Sequence, residues 1–323
     1  MESIYKQEVD LHIELRTVYK QRHEKNANIP DESMNIVDDG LCWASISKDC
    51  PSKANNYWPE NLWKESAVRI LFLLKEPNGK EGEDYKEWDW AKGSEIFGNT
   101  LAYWLEGIMK CSADYFPQYA DLSTRKDILQ KFPLAIMNLK KVAGDSSASW
   151  EEIWHYAEQD ADFLKRQIQI LNPNVIVCCG SNDCGDNYRK VISIAEEILF
   201  PEKHFDKVNL WCHFCKESNL LLIDSYHPSY PISYVDKMDK MFYWVSQFQK
   251  IIAPQFESAS PENCRNRVSE RRRQGTENGH RKIRAKIFWC NGLKCVPLQA
   301  DYVQKTSIGR SPAALLAECR RWL

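Results

Sequence analysis

Long hydrophobic runs are missing from this sequence. The longest, such as Ile70–Leu74, stops at about five residues, whereas a membrane-spanning helix needs ~18 or more. No membrane association is therefore expected. The amino terminus, Met1-Glu2-Ser3-Ile4-Tyr5-Lys6, lacks the basic-then-apolar pattern of a signal peptide, and the expectation is a cytoplasmic protein. A disulfide framework is also missing. There are 12 cysteines, but several, such as Cys178 and Cys179, sit inside apolar runs, which reads as reduced buried thiols. Cys212-His213-Phe214-Cys215 has no second close pair to complete a four-ligand metal site, because Cys42 and Cys50 are too far apart. The glycines at 180 and 185 lack the G-x-G-x-x-G spacing of a nucleotide loop. Neither a metal nor an organic cofactor is implied.

Net charge is also scarce, at −2, but it is unevenly placed. Residues 254–323 hold 14 basic and 6 acidic residues, a net +8, which leaves 29 against 39, a net −10, in residues 1–253. The chain is expected to divide there, into a globular part over 1–253 and a basic, solvated, flexible tail over 254–323. Such a tail can hold phosphates electrostatically or be a dispensable extension. Only Ala285–Trp289 and Pro312–Trp322 in it have the pattern of ordered structure. Hydrophobic residues make up 43% of the chain and aromatics 12%, enough for a sizeable core.

Four apolar segments read as strands buried on both faces, since none alternates cleanly. They are Val68–Leu74, Leu134–Leu139, Val175–Cys179 and Leu220–Ser225. Helical patterns lie around them: residues 1–24, Phe97–Ile108, a Ser149-Trp150-Glu151-Glu152 capping box opening a helix through Leu171, Asp183–Leu199 and Tyr234–Ile252. Residues 38–63 fit no pattern. The alternation predicts an α/β fold, a three-layer α/β/α sandwich on a four-stranded parallel sheet. Each strand runs into a polar cluster: Lys75-Glu76-Pro77-Asn78-Gly79, Asn138 with Lys140-Lys141, Gly180-Ser181-Asn182, and Tyr226-His227-Pro228-Ser229. Ligands of open α/β sheets bind beyond the carboxyl ends of strands, so these clusters form one candidate site.

In order and spacing, ILFLLKEPNG, AIMNLKK, PNVIVCCGS and SYHPSYP resemble the motifs of the uracil-DNA glycosylase superfamily. The resemblance covers roughly residues 65–250 and none of the tail. It implies DNA as partner, no obligate protein partner, and hydrolysis of an N-glycosidic bond to leave an abasic site. Glu76 matches the acid that orients water and stabilises the sugar cation. His227 matches the donor that stabilises charge on the departing base, and Asn138 the amide that reads its pairing edge. Phe97 is the preferred aromatic for stacking on the flipped base, with Trp90 and Trp88 as the other candidates. Ser229, Gly180 and Ser181 sit where family members pinch the DNA backbone, and Lys140 and Lys141 are placed to reach phosphates. No lysine has the setting of a Schiff-base nucleophile, so strand cleavage is not expected.

One departure bears on substrate. Uracil-specific members carry a tyrosine after the motif proline, which blocks substituents at pyrimidine C5; here Asn78-Gly79 stands there. The expected substrate is a C5-modified pyrimidine, for example a hydroxymethylated or glucosylated cytosine in phage DNA, as in the superfamily's bacterial anti-phage branch. The alternatives are a uracil-DNA glycosylase of base excision repair, a hydrolase of free nucleosides or nucleotides, and a catalytically silent nucleic-acid-binding module.

Overall fold

The computed structural model describes residues 2–28, 30–42, 58–77, 95–111, 119–144, 149–180 and 190–230, with Ser233 and Asp236. The expected helix at Tyr234–Ile252, apart from Asp236, and the tail over 254–323 lie outside the described residues, as do Asn78, Gly79, Trp88, Trp90 and Ser181.

Helix α1, Ile4–Lys25, starts where the Ser3 hydroxyl accepts from the Lys6 N–H and ends on basic residues that suit the carboxyl end of a helix dipole. Ile4, Glu8, Leu11, His12, Leu15 and Tyr19 form its buried stripe. Then follow β1 (Gly40–Leu41), α2 (Trp58–Glu65), β2 (Ile70–Leu74), α3 (Glu95–Lys110), α4 (Arg125–Lys131) and β3 (Ala135–Asn138). After these come α5 (Trp150–Gln159), α6 (Ala161–Leu171), β4 (Val175–Cys179), and α7 (Val191–Ile194), which runs on as a π-helical turn over Ala195–Leu199. Strands β5 (Asp206–Lys207), β6 (Cys212–Cys215) and β7 (Leu220–Ser225) complete the set. None of the described helices is long and apolar enough to cross a membrane.

Among the described residues the sheet is mixed and seven-stranded, in the order β1-β3-β2-β4-β7-β6-β5. Strands β3, β2, β4 and β7 pair in parallel, and these are the four apolar segments of the sequence. Beyond these four, three antiparallel strands that the sequence pattern did not show extend the edges, β1 on one side and β6 and β5 on the other. Alternate residues of β2 enter two separate cores. Ile70, Phe72 and Leu74 pack with α3 and α4, while Leu71 and Leu73 pack with α1, α5 and α6. A strand that must satisfy both cores has no polar face, which is why these segments do not alternate.

The single helix expected from the Ser149 box is two. The box forms, with the Ser149 hydroxyl accepting from the Glu152 N–H at 3.1 Å. The helix breaks at Asp160, whose φ of −109° and ψ of 17° leave helical geometry. Asp160 is buried there and accepts from the Tyr19 hydroxyl at 2.6 Å and from Arg22 at 3.2 Å, tying α1 to the α5–α6 corner. Helix α6 stops at Asn172 in the left-handed conformation, φ 47°.

Candidate active site

The carboxyl ends of β2, β3, β4 and β7 lie along one edge of the sheet, because the four strands are parallel and adjacent. Glu76 follows β2. Its carboxylate is 8% exposed and lies against the backbone of Gly144, where a Cβ would fall 2.1 Å from Oε2. Only a glycine allows that approach. Lys140, past the end of β3, donates to Glu76 Oε2 at 3.1 Å and to Glu152 Oε1 at 2.6 Å, and lies 5.1 Å from the Tyr156 ring centre. Burial lowers the basicity of Lys140, but the bonds to Glu152 and Glu76 outweigh it and hold the ammonium above the usual lysine range. Among the described residues Glu76 Oε1 receives no hydrogen bond.

His227 follows β7. The backbone N–H of Ser229 donates to His227 Nδ1 at 3.2 Å, and the Tyr230 N–H donates to the His227 carbonyl at 2.9 Å. A ring nitrogen that accepts carries no proton, so Nε2 is the N–H donor of the neutral imidazole. The half-buried Phe97 of α3 lies with its ring centre 5.8 Å from that of His227. Tyr226 and Tyr230, on either side of His227 in the chain, stack with ring centres 5.1 Å apart. Strands β2 and β7 both flank β4, so the ends that carry Glu76 and His227 stand about 10 Å apart at the usual strand spacing.

The structure thus brings Glu76, His227 and Phe97 to one edge and leaves Ser229 exposed on the turn beside them. Other expected contacts are corrected. Lys140 does not reach out to a phosphate; it is 7% exposed and held between two carboxylates. Lys141 is fully buried, donating to Asp39 Oδ1 at 2.5 Å and Gln167 Oε1 at 2.7 Å. The Gly180 N–H donates to the Ser225 carbonyl at 2.9 Å and is not offered to DNA. Gly180 instead permits close packing, since a Cβ there would lie 2.7 Å from Val191 Cγ2 and 3.4 Å from Lys75 Cγ and the Trp150 ring. Asn138 is not among these corrections: the last residue of β3, it stands at the same edge, fully buried, and donates through Nδ2 to Asp39 Oδ2 at 3.0 Å.

Sequence reading missed Asp39, Glu152 and Gly144. Glu152 had a signal as the last residue of the capping box, but only for helix initiation. Lys75, read from the sequence only as part of the first polar cluster, has its ammonium 5.1 Å from the Trp150 ring centre, and burial lowers its basicity, with nearby Glu76 opposing. The Cys212-His213-Phe214-Cys215 run is strand β6. Cys212 packs in the core with α3 and Cys215 in the opposite one, so their thiols point to different faces. Burial pushes the Cys212 thiol up to about 12. His213 Nδ1 donates to Glu196 at 2.6 Å.

No protein-family model matches the chain, and no curated protein sequence matches it.

Proposed function

We propose that the protein is a monofunctional DNA glycosylase of the uracil-DNA glycosylase superfamily, built on that superfamily's α/β/α sandwich with β3, β2, β4 and β7 as its central sheet. The substrate is a flipped, C5-substituted pyrimidine, and the product is an abasic site. The observation that carries the reading is the pairing of His227 with Phe97 at the same edge of the sheet where Glu76 follows β2, on the other side of β4. A flipped base stacks on Phe97. His227, its tautomer set by the Ser229 N–H, donates through Nε2 to the base carbonyl as negative charge develops there. Glu76 Oε1 orients the attacking water and faces the sugar cation, while Oε2 stays anchored to Lys140. The C–N bond breaks with its electron pair leaving on the base, and water supplies hydroxide to C1′ and a proton to the products.

The test is mass spectrometry of bases released from uracil-containing, ordinary and C5-modified DNA. His227→Ala is expected to lower single-turnover release about 10²–10³-fold with affinity for abasic product DNA largely kept, because the donor acts on charge formed in the transition state. A change confined to KM would make His227 a pocket wall. Lys140→Met is expected to slow release at saturating DNA by about tenfold or more, with Lys140→Arg restoring much of it. An unchanged rate with weaker, more salt-sensitive DNA binding would return Lys140 to phosphate contact.

A further inference from the structure

The lysines that follow the parallel strands are not alike. Lys140 is held by Glu76 and Glu152, Lys141 by Asp39, and Lys190, just before α7, by Asp224 at 3.2 Å. Lys75, which follows β2, has no such partner. Among the described residues no carboxylate or carbonyl oxygen accepts from its ammonium, which lies over the Trp150 ring.

Backbone pairing fixes where this amine stands. The Lys140 N–H donates to the Lys75 carbonyl at 2.9 Å, so the β2–β3 ladder runs one residue past Leu74. Leu74 packs in the α3 core, and strand alternation puts Lys75 on the opposite face. There its stem passes Gly180, with Cγ 3.4 Å from where a Gly180 Cβ would fall, and ends over Trp150 in the first turn of α5. Glu152, in the same turn, holds Lys140 and through it Glu76. The Lys75 amine and the Glu76 carboxylate thus share the α5 side of the edge, while Phe97 stands on the α3 side.

With the flipped base stacked on Phe97 and the sugar facing Glu76, the sugar comes to the side where Lys75 waits. We propose that Lys75 is an amine nucleophile that captures the abasic product as a reversible imine. The inference rests on the glycosylase reading above and adds a step after it: excision stays hydrolytic, and Lys75 acts on what water leaves. The abasic sugar opens to an aldehyde at C1′. The unprotonated Nζ adds its lone pair to C1′ while the carbonyl π pair moves to oxygen, which takes up the proton that nitrogen loses. The C–O bond then breaks with its electron pair on oxygen, a second proton from nitrogen completes a water molecule, and the nitrogen pair closes the C=N bond. Water reverses each step.

A lysine meant for phosphate stays protonated and in solvent. Lys75 is instead packed on an indole with no anion bonded to it, and burial favours the neutral amine that attack on a carbonyl requires. This sets aside the sequence-based expectation that no lysine has the setting of a Schiff-base nucleophile. The setting comes from Trp150 and Gly180, remote in the chain, and nothing in Lys75-Glu76-Pro77 marks it.

The test mixes the full chain with a duplex carrying a preformed abasic site, adds borohydride, and maps the adduct by peptide mass spectrometry. Hydride delivered to C1′ turns the imine into a stable secondary amine. The expected result is an adduct on Lys75. Lys75→Arg, which keeps the cation, and Lys75→Met, which keeps the stem, are both expected to lose that adduct. Should neither variant fold, the wild-type map decides. No adduct, or one confined to other lysines, overturns the inference. Weaker duplex binding by Lys75→Met that Lys75→Arg restores, with no wild-type adduct, makes Lys75 a phosphate contact instead. Base release from C5-modified DNA is measured alongside, so the two readings fail separately. Release without the adduct overturns the capture alone, and the adduct without release overturns the glycosylase reading alone.

Discussion

Glu76→Gln is expected to cut base release by about 10³-fold or more while the fold and DNA affinity persist. Glutamine has nearly the shape of glutamate, so it fits against Gly144, where the carboxylate now lies. Its carbonyl oxygen still accepts from Lys140, which keeps Glu152 as its second partner. What disappears is the negative charge beside the sugar cation, an interaction made mainly in the transition state. A loss of that size corresponds to about 4 kcal/mol of barrier at ~1.4 kcal/mol per decade. Single-turnover counting of alkali-labile sites checks it, alongside duplex binding measured with the same preparation. Wild-type turnover by this variant would sink the mechanism, because the other carboxylate on Lys140, that of Glu152, is 43% exposed and already bonded to it.

Much of the sheet was legible in the sequence because burial on both faces leaves a direct mark. Residues such as Val175–Cys179 have no polar side, and only a strand between two cores tolerates that. Strands β1 and β5 left no such mark, since two residues carry no period. The break at Asp160 was hidden for another reason. It depends on a hydrogen bond from Tyr19, 141 residues away, and the local pattern through Leu171 is helical on both sides.

The candidate site divides in the same way. Glu76, His227 and Phe97 stood out because each follows, or opens, an element whose direction the pattern fixed. Lys140 and Lys141 looked like a solvent-facing pair, and composition cannot distinguish a lysine offered to phosphate from one already neutralised. The deciding partners are remote: Glu76 lies 64 residues from Lys140, and Asp39 lies 102 from Lys141, inside a stretch with no readable pattern. Adjacent residues on a strand end also point to opposite sides, so neighbouring lysines meet unrelated surroundings.

Lys141→Met is expected to destabilise the fold by about 3–5 kcal/mol, the usual cost of removing one partner from a buried ion pair. Lys141 and Asp39 are both fully buried, and Asp39 has no solvent to replace the ammonium it would lose. Of the neighbours that remain, Gln167, the Asn138 backbone and Asn138 Nδ2 are neutral donors, and His12 Nε2 stands 3.7 Å from Asp39 Oδ1, farther than the ammonium it would have to replace. The sign of the pH dependence follows from Asp39: burial opposes its ionisation, but the Lys141 ammonium and neighbouring His12 overcome it and hold the carboxyl well below its ordinary range. In the wild type its contribution is complete above the unfolded value of ~3.9 and is lost as pH falls toward the folded one. In the variant the buried carboxyl has lost its cation and favours the protonated form, so acid helps it. The stability gap should therefore be widest near neutral pH and narrow as pH approaches about 4, which urea unfolding at several pH values measures. A variant as stable as the wild type that binds DNA with a shallower salt dependence would instead place Lys141 at the surface against a phosphate, and the Asp39 hub would lose its cation and its hold on Asn138.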